Sequence, residues 1–199
     1  MGKNFDNISE QFRKYIIEIK FNNQSNFMLW GTDMVDEDEI DKILSFEGSI
    51  LLFSSINQIQ TYVKSNLKSI FDSENLHQWA RKMRVRKPYA TYDLDQLKSI
   101  ISDEDFTINH FDKKKAFEFI DFYNLFGDYA HQTKDEEAHH LMQEKNTKLF
   151  FDFAYNSFFW KSNNQEQGAP ELRKIKTTEL FANYQRILNY FIGKFKLVD

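Results

Sequence analysis

Six carboxylates fall within nine positions, Asp33, Asp36, Glu37, Asp38, Glu39 and Asp41, and no base interrupts them before Lys42. Like charges this close repel one another, so the run belongs on a solvated loop or helix start, or on a surface that meets a cationic partner. In the second setting it imitates a phosphate backbone: it complements the Lys/Arg lining of a nuclease cleft and speeds association electrostatically. Calcium binding is not expected, because the alternating ligands, central Gly and terminal bidentate Glu of an EF-hand loop are missing. Trp30, just before the run, and Tyr92 are the aromatic anchors such a surface would use, since a few desolvated side chains carry most of a protein–protein affinity. These eight residues form the expected partner-binding set.

Arg81, Lys82, Arg84, Arg86 and Lys87 make the opposite patch, five cations in seven residues near Trp79, Tyr89 and Tyr92. Cations beside aromatics suit single-stranded nucleic acid, where phosphates meet charge and bases stack on rings. The chain as a whole is acidic, however, and a nucleic-acid domain normally carries a broad basic face. Direct nucleic-acid binding is therefore not expected, and the patch reads as a salt-bridged connector between helices. Asp128, His131, Asp135, His139 and His140 are the residue types a Cys-free metal site would use. A helix opening at Thr133-Lys134-Asp135-Glu136 would break the register between His131 and His139, so no metal or cofactor is expected there. Asp121, Asn124 and Asp128 fall near one face of a Phe-rich helix, and Asp152 and Asn156 near one face of the next. Facing each other they would offer a carboxylate pair for acid–base work; facing water they are solvated polar stripes. The sequence has no Gly-x-Ser-x-Gly elbow, Gly-rich phosphate loop or dinucleotide fingerprint, and its six scattered Gly cannot build one.

The elements that must position these groups follow from composition and periodicity. The 199 residues, with 26 basic and 30 acidic side chains, carry a formal net charge of −4, no Cys, 21 Phe and nine Tyr. This is enough chain for one hydrophobic core without disulfides, and the absence of Cys excludes thiol nucleophiles and Cys-based metal sites. Tyr15–Phe21 and Phe27–Trp30, separated by Asn22-Asn23-Gln24-Ser25-Asn26, predict a β-hairpin, and Ile43–Phe46 and Ile50–Phe53 around Glu47-Gly48 predict a second. Ser55-Ile56-Asn57-Gln58 is a capping box opening a helix through Ile56, Ile59, Val63 and Leu67. Beyond residue 70 the pattern is helical: a cap at Asp93 before Leu97, Ile100 and Ile101, a helix from Lys114 to about Ala130 apolar nearly all round, Phe-rich Leu149–Trp160, and a final helix from about Thr178 to Phe195. Ser162–Pro170 reads as a polar loop. The expected fold class is α+β, with a small antiparallel sheet and its covering helix in 1–70 and a larger helical bundle in 71–199. The polar start Met1-Gly2-Lys3-Asn4-Phe5-Asp6 has no apolar stretch for a secretory signal, and the longest apolar run, Ile50–Phe53, falls far short of the roughly 20 residues that cross a bilayer. A cytoplasmic location and no membrane partner are expected.

Three stretches, Phe27-Met28-Leu29-Trp30-Gly31-Thr32-Asp33, Ile50–Ile59 passing from strand to capped helix, and Phe122-Tyr123-Asn124-Leu125-Phe126-Gly127-Asp128, resemble bacterial immunity proteins of contact-dependent growth-inhibition systems. The resemblance implies a small cytoplasmic antitoxin that binds the C-terminal toxin domain of a cognate effector, often a nuclease, and occludes its active site without catalysis. The alternatives are a metal-dependent hydrolase using Asp121, Asp128, His131 and His139, and a nucleic-acid-binding regulatory module using Arg81–Lys87.

Overall fold

The structure, a computed structural model, describes residues 7–66, 70–84, 86–159 and 174–198. The chain is α+β, with most strands N-terminal and most helices C-terminal, as its patterning predicts. It divides into two compact units, Met1–Asp95 with Gly193–Asp199, and Gln96–Ile192. The division expected at residue 70 falls instead at Asp95, because the helix after residue 70 and a short strand at Ala90 pack with the N-terminal sheet.

In the first unit α1 (Asn7–Phe12) leads into β1 (Lys14–Phe21), which pairs antiparallel with β2 (Gln24–Thr32). The turn is only Asn22-Asn23, both at positive φ (53° and 58°), tighter than the five-residue turn expected. This is the geometry whose twist matches a hairpin, and Asn tolerates it better than other side-chain-bearing residues. β3 (Asp41–Ile43) pairs with β2, and β4 (Ser45–Phe46) turns through Glu47-Gly48 into β5 (Ser49–Phe53). Two strands were not foreseen. β6 (Ala90–Asp93) joins β1 in parallel, and β7 (Phe195–Val198) joins β5 in parallel where the last helix was expected to continue to Phe195. The sheet is therefore larger than expected and mixed, in the order β4-β5-β2-β1-β6, with β3 on β2 and β7 on β5.

Alternation along the strands turns Ile16, Leu29, Leu51 and Phe53 to one face, where they meet Phe12 of α1, Ile59 and Val63 of α2 (Ile56–Ser65), and Leu76, Trp79 and Ala80 of α3 (Ser73–Lys82). Each Ile, Leu, Val and Phe among them, taken from water, contributes about 1.5–3 kcal/mol. Ser55 caps α2 by accepting from the Gln58 amide, as the motif requires. The return contact differs: the Gln58 side chain accepts from Ser54, through both its backbone amide and its hydroxyl, one residue earlier than a capping box would have it. Leu67 lies outside the described residues. At the C-terminal end of the sheet, Asp95 holds the Asn22-Asn23 turn by accepting from both backbone amides, at 2.9 and 2.8 Å.

Gly31 is the point of closest backbone approach. A Cβ there would stand 2.3 Å from the Arg13 carbonyl and 2.9 Å from Lys14 Cδ. Neither neighbour can yield without moving the β1–β2 ladder, so Gly31→Ala should lower the unfolding free energy by about 3 kcal/mol, read by urea titration.

In the second unit α4 (Leu94–Ile101), which begins in the first unit, runs on to a 3-10 turn at Ile108–His110 and then α5 (Lys113–Thr133). Asp112 caps α5, accepting from the Lys115 amide at 2.8 Å. Of the apolar residues predicted to ring this helix, Phe119, Ile120, Phe122, Tyr123, Leu125, Phe126 and Tyr129 are buried and Phe117 is half-buried. They meet α7 (Lys145–Ala154), which ends in a π-turn over Tyr155–Phe159, and α8 (Thr177–Gly193), through a network of rings: Phe111 against Phe119 and Phe150, Phe119 against Tyr184, Phe122 and Phe126 against Phe191. Edge-to-face and tilted geometry adds to what the buried area alone contributes. Within this core Asn183 donates to the Leu141 carbonyl and Thr147 Oγ1.

The helix start expected at Thr133 is a helix end. Thr133 closes α5 by donating to the Tyr129 carbonyl, Lys134 turns the chain in the left-handed region, and Asp135 caps α6 (Glu136–Met142) through the Ala138 amide. Asp135 also accepts from the Tyr190 hydroxyl of α8. Asp135→Ala removes the cap and that acceptor together, so a loss of about 1–2 kcal/mol is expected in thermal unfolding. The predicted loop Ser162–Pro170 and Trp160 lie outside the described residues.

A clamped acidic loop as the candidate functional site

The six-acid run forms the connection between β2 and β3. Its ends meet where the Asp33 amide donates to the Ile40 carbonyl at 2.8 Å, and the Glu39 amide donates to the Asp36 carbonyl at 3.0 Å. Asp33 accepts from the Val35 amide, and Asp36 from the Asp38 amide, each bridging two residues as short carboxylates do in turns. The loop is thus closed by its own backbone.

Four of the six acids are also bonded to side chains within the fold. Asp33 and Asp36 converge on Lys42 Nζ at 2.7 and 3.2 Å, Asp41 accepts from the Thr32 hydroxyl at 2.6 Å, and Glu39 pairs with Arg13 at 2.7 Å. Partial burial works against the Lys42 charge, but its bonds to Asp33 and Asp36 outweigh this and hold its pKa above the usual lysine value. Beneath the loop lies a fully buried pair. Lys14 Nζ donates to Asp72 at 2.6 Å, to the Thr32 carbonyl at 2.5 Å and to the Phe12 carbonyl at 3.1 Å, so all three ammonium hydrogens are used. Asp72, which precedes α3 in left-handed backbone, also accepts from the Met34 amide and from Asn75. The loop is pinned from below by one carboxylate.

What remains on the outside is small and chemically distinct. Glu37 and Asp38 are exposed, and their carboxylates make no hydrogen bond or ion pair among the described residues. Beside them Met34 is 40% and Val35 74% exposed, two of the four large apolar side chains left open among the described residues. Sequence reasoning passed over Met34 and Val35, although an apolar pair inside a run of acids was there to be noticed. It also passed over Arg13, Lys14 and Asp72, whose convergence depends on tertiary structure.

The other expected members separate. Trp30 sits at the foot of the loop on β2, half-buried, its ring 5.4 Å from that of Tyr15. Tyr92 lies on β6 opposite Ile19, with β1 between it and β2. Trp30 faces Tyr15 on the same strand, four residues away from Ile19, so the two aromatics are separated by about 13 Å along the strand direction as well as by a strand width. The structure does not bring Tyr92 to the loop.

The remaining clusters are equally plain. Among the described residues no three His, Asp or Glu side chains are grouped to hold a metal ion. His131 and His140 are exposed, and Asp135 is committed to its cap. Asn124, Asp152 and Asn156 face solvent, while Asp121 and Asp128 are half-buried on α5. Trp79 is fully buried under the sheet, and Tyr89 packs its ring 4.5 Å from Tyr15. No described helix is long and apolar enough to cross a membrane.

No protein-family model matches the chain, and no curated protein matches it. A solved structure does resemble it. The crystal structure of the SatS C-terminal domain in complex with bromine superposes with a TM-score of 0.61 over all of both chains, at 11% identity. At that identity the likeness establishes a shared fold and carries nothing about chemistry.

Proposed function

We propose that this protein is a non-catalytic immunity protein of a bacterial contact-dependent growth-inhibition system, acting in the cytoplasm by binding a cognate toxin domain and occluding its active site. The observation that supports this reading is the loop between β2 and β3, where exposed Met34 and Val35 stand beside the unpaired carboxylates of Glu37 and Asp38 on a clamped base. An apolar tip on a rigid base can be buried in a partner at little cost in conformational entropy. Two free carboxylates beside it complement the cationic cleft with which a nuclease grips phosphates, and steer the encounter. Trp30 extends the surface from below, and the clamping acids Asp33, Asp36, Glu39 and Asp41 fix the shape rather than contact the partner directly.

The test is co-production with the toxin domain encoded by the adjacent upstream gene. Growth should be restored and the two proteins should co-elute as a complex that has lost the toxin's activity. Continued growth arrest, with no complex at micromolar concentrations of both proteins, would remove the proposal.

A further inference from the structure

The run Arg81–Lys87 is not the salt-bridged connector that its sequence suggested. Arg81, Lys82, Arg84, Arg86 and Lys87 are all exposed, and among the described residues none of them forms an ion pair, whereas lysines and arginines at eight other contacts do. Lys82 lies over the Phe12 ring, 5.0 Å from its centroid, and Arg84 donates only to the neighbouring Met83 carbonyl. No acid occurs in the sequence between Glu74 and Asp93. The net charge of −4 therefore belongs to other parts of the chain, and this segment is locally cationic.

The cations adjoin a cleft. Along the outer side of α3 a depression of about 530 Å³ is lined by Ser73, Glu74, His77, Gln78, Arg81 and Lys82. His77, one of the lining residues, has a ring nitrogen, Nδ1, that is buried and has no hydrogen-bond partner among the described residues. A buried polar atom left unpaired is uncommon and costly, and this one belongs to a residue that shares the cleft with two cations, Arg81 and Lys82, and one acid, Glu74.

We infer that the outer face of α3 and the connector to β6 bind the phosphate backbone of single-stranded nucleic acid. The number and spread of the cations argue for a polymer over a lone phosphate ester: Arg84, Arg86 and Lys87 lie beyond the cleft, where one ester held by Arg81 and His77 would leave them unmatched. The cations also run from the last turn of α3 into the irregular connector before β6, a course that a flexible single strand follows more readily than a stiff duplex. Trp79, the nearest tryptophan, is fully buried and offers no stacking face, so binding rests on charge and is indifferent to base sequence.

The probe is a fluorescein-labelled single-stranded RNA of about 12 nucleotides, followed by anisotropy against the intact chain. With three to five phosphates neutralised, log K should fall against log salt with a slope of about −2 to −3.5, a loss of about 15- to 130-fold between 50 and 200 mM salt. Arg84→Ala/Arg86→Ala/Lys87→Ala should flatten that slope by about 0.7 per cation removed, and His77→Ala should weaken binding with the slope unchanged. Should the alanine variant lose its far-UV CD spectrum, the Arg→Gln and Lys→Gln equivalents are measured instead. A slope near zero, or variants that bind like the parent chain, overturns the inference. Equal competition by inorganic phosphate overturns it in favour of a small-anion site, and equal competition by polyglutamate in favour of an acidic protein surface. None of these readouts involves a toxin, so this result and that of the proposed function stand or fall separately.

Discussion

Lys14→Ala should lower the unfolding free energy by about 3–5 kcal/mol, as much as truncating a large aromatic residue of the core. Both members of the Lys14–Asp72 pair are fully buried, so removing the ammonium leaves a carboxylate without a counter-charge and two carbonyls, those of Phe12 and Thr32, without a donor. Asp72→Ala should cost a similar amount and also free the Met34 amide, loosening the acidic loop. The informative variant is Lys14→Met/Asp72→Leu. It removes both charges at near-constant volume, so it should recover most of the loss, short of what the orphaned carbonyls still cost. A double variant no more stable than the singles would mean that the hydrogen bonds, and not the uncompensated charge, dominate.

The two lysines around this loop respond to alkali with opposite signs. Burial lowers the Lys14 pKa from 10.5 despite its bonds to Asp72. The unfolded chain therefore binds more protons between that lowered value and 10.5, and the Lys14 contribution to stability rises with pH across that window. Lys42 is raised, so its contribution is complete below 10.5 and is lost as pH climbs through the higher folded value. Subtracting the denaturation profile of Lys14→Met from that of the parent chain should leave a difference that grows in favour of the parent as pH approaches 10.5.

Glu37→Lys/Asp38→Lys should slow association with the toxin domain at least tenfold at low salt and flatten its salt dependence, while leaving thermal stability unchanged, because neither carboxylate is bonded within the chain. Met34→Ser/Val35→Asp should act on dissociation instead. Loss of two desolvated anchors at the centre of an interface costs at least about 2 kcal/mol, a 30-fold or greater rise in Kd. Asp36→Lys and Glu39→Lys serve as contrasts: they break the contacts to Lys42 and Arg13, so any loss of affinity should come with a loss of stability. Stopped-flow association and calorimetric melting separate the three cases. Unaltered rates in both outward-facing double variants would remove this loop from recognition.

The sequence carried the features whose causes are local. Hairpin turns, the Ser55 cap and the apolar pattern of α5 are decided within a few residues, and the folded chain has each of them within the stretch that the pattern marks, the first turn shorter than expected. β6 and β7 escaped because a four-residue strand has almost no periodicity of its own and its pairing partner lies more than 70 residues away. The candidate site divides along the same line. The density of acids between residues 33 and 41 was visible, but which of them are bonded within the chain depends on Arg13, Lys42 and a fold that brings Asp72 beneath Thr32. Lys14, just before the expected strand Tyr15–Phe21, gives no sign of its burial until Asp72, 58 positions later, is placed against it. The connector Arg81–Lys87 misled for the converse reason: a run of cations predicts salt bridges only if the fold supplies acids nearby.

The parallel seam between β5 and β7 also sets a schedule for the newborn chain. β5 ends at Phe53, yet the strand that covers its free side, beginning at Phe195, leaves the ribosome only after all of residues 96–192 have been made. At about 5–20 residues per second that interval lasts several seconds, during which an apolar strand stands with one row of backbone groups unmet. Residues 96–192, a compact unit in themselves, have that time to fold first, so the sheet that precedes them in translation is finished after them.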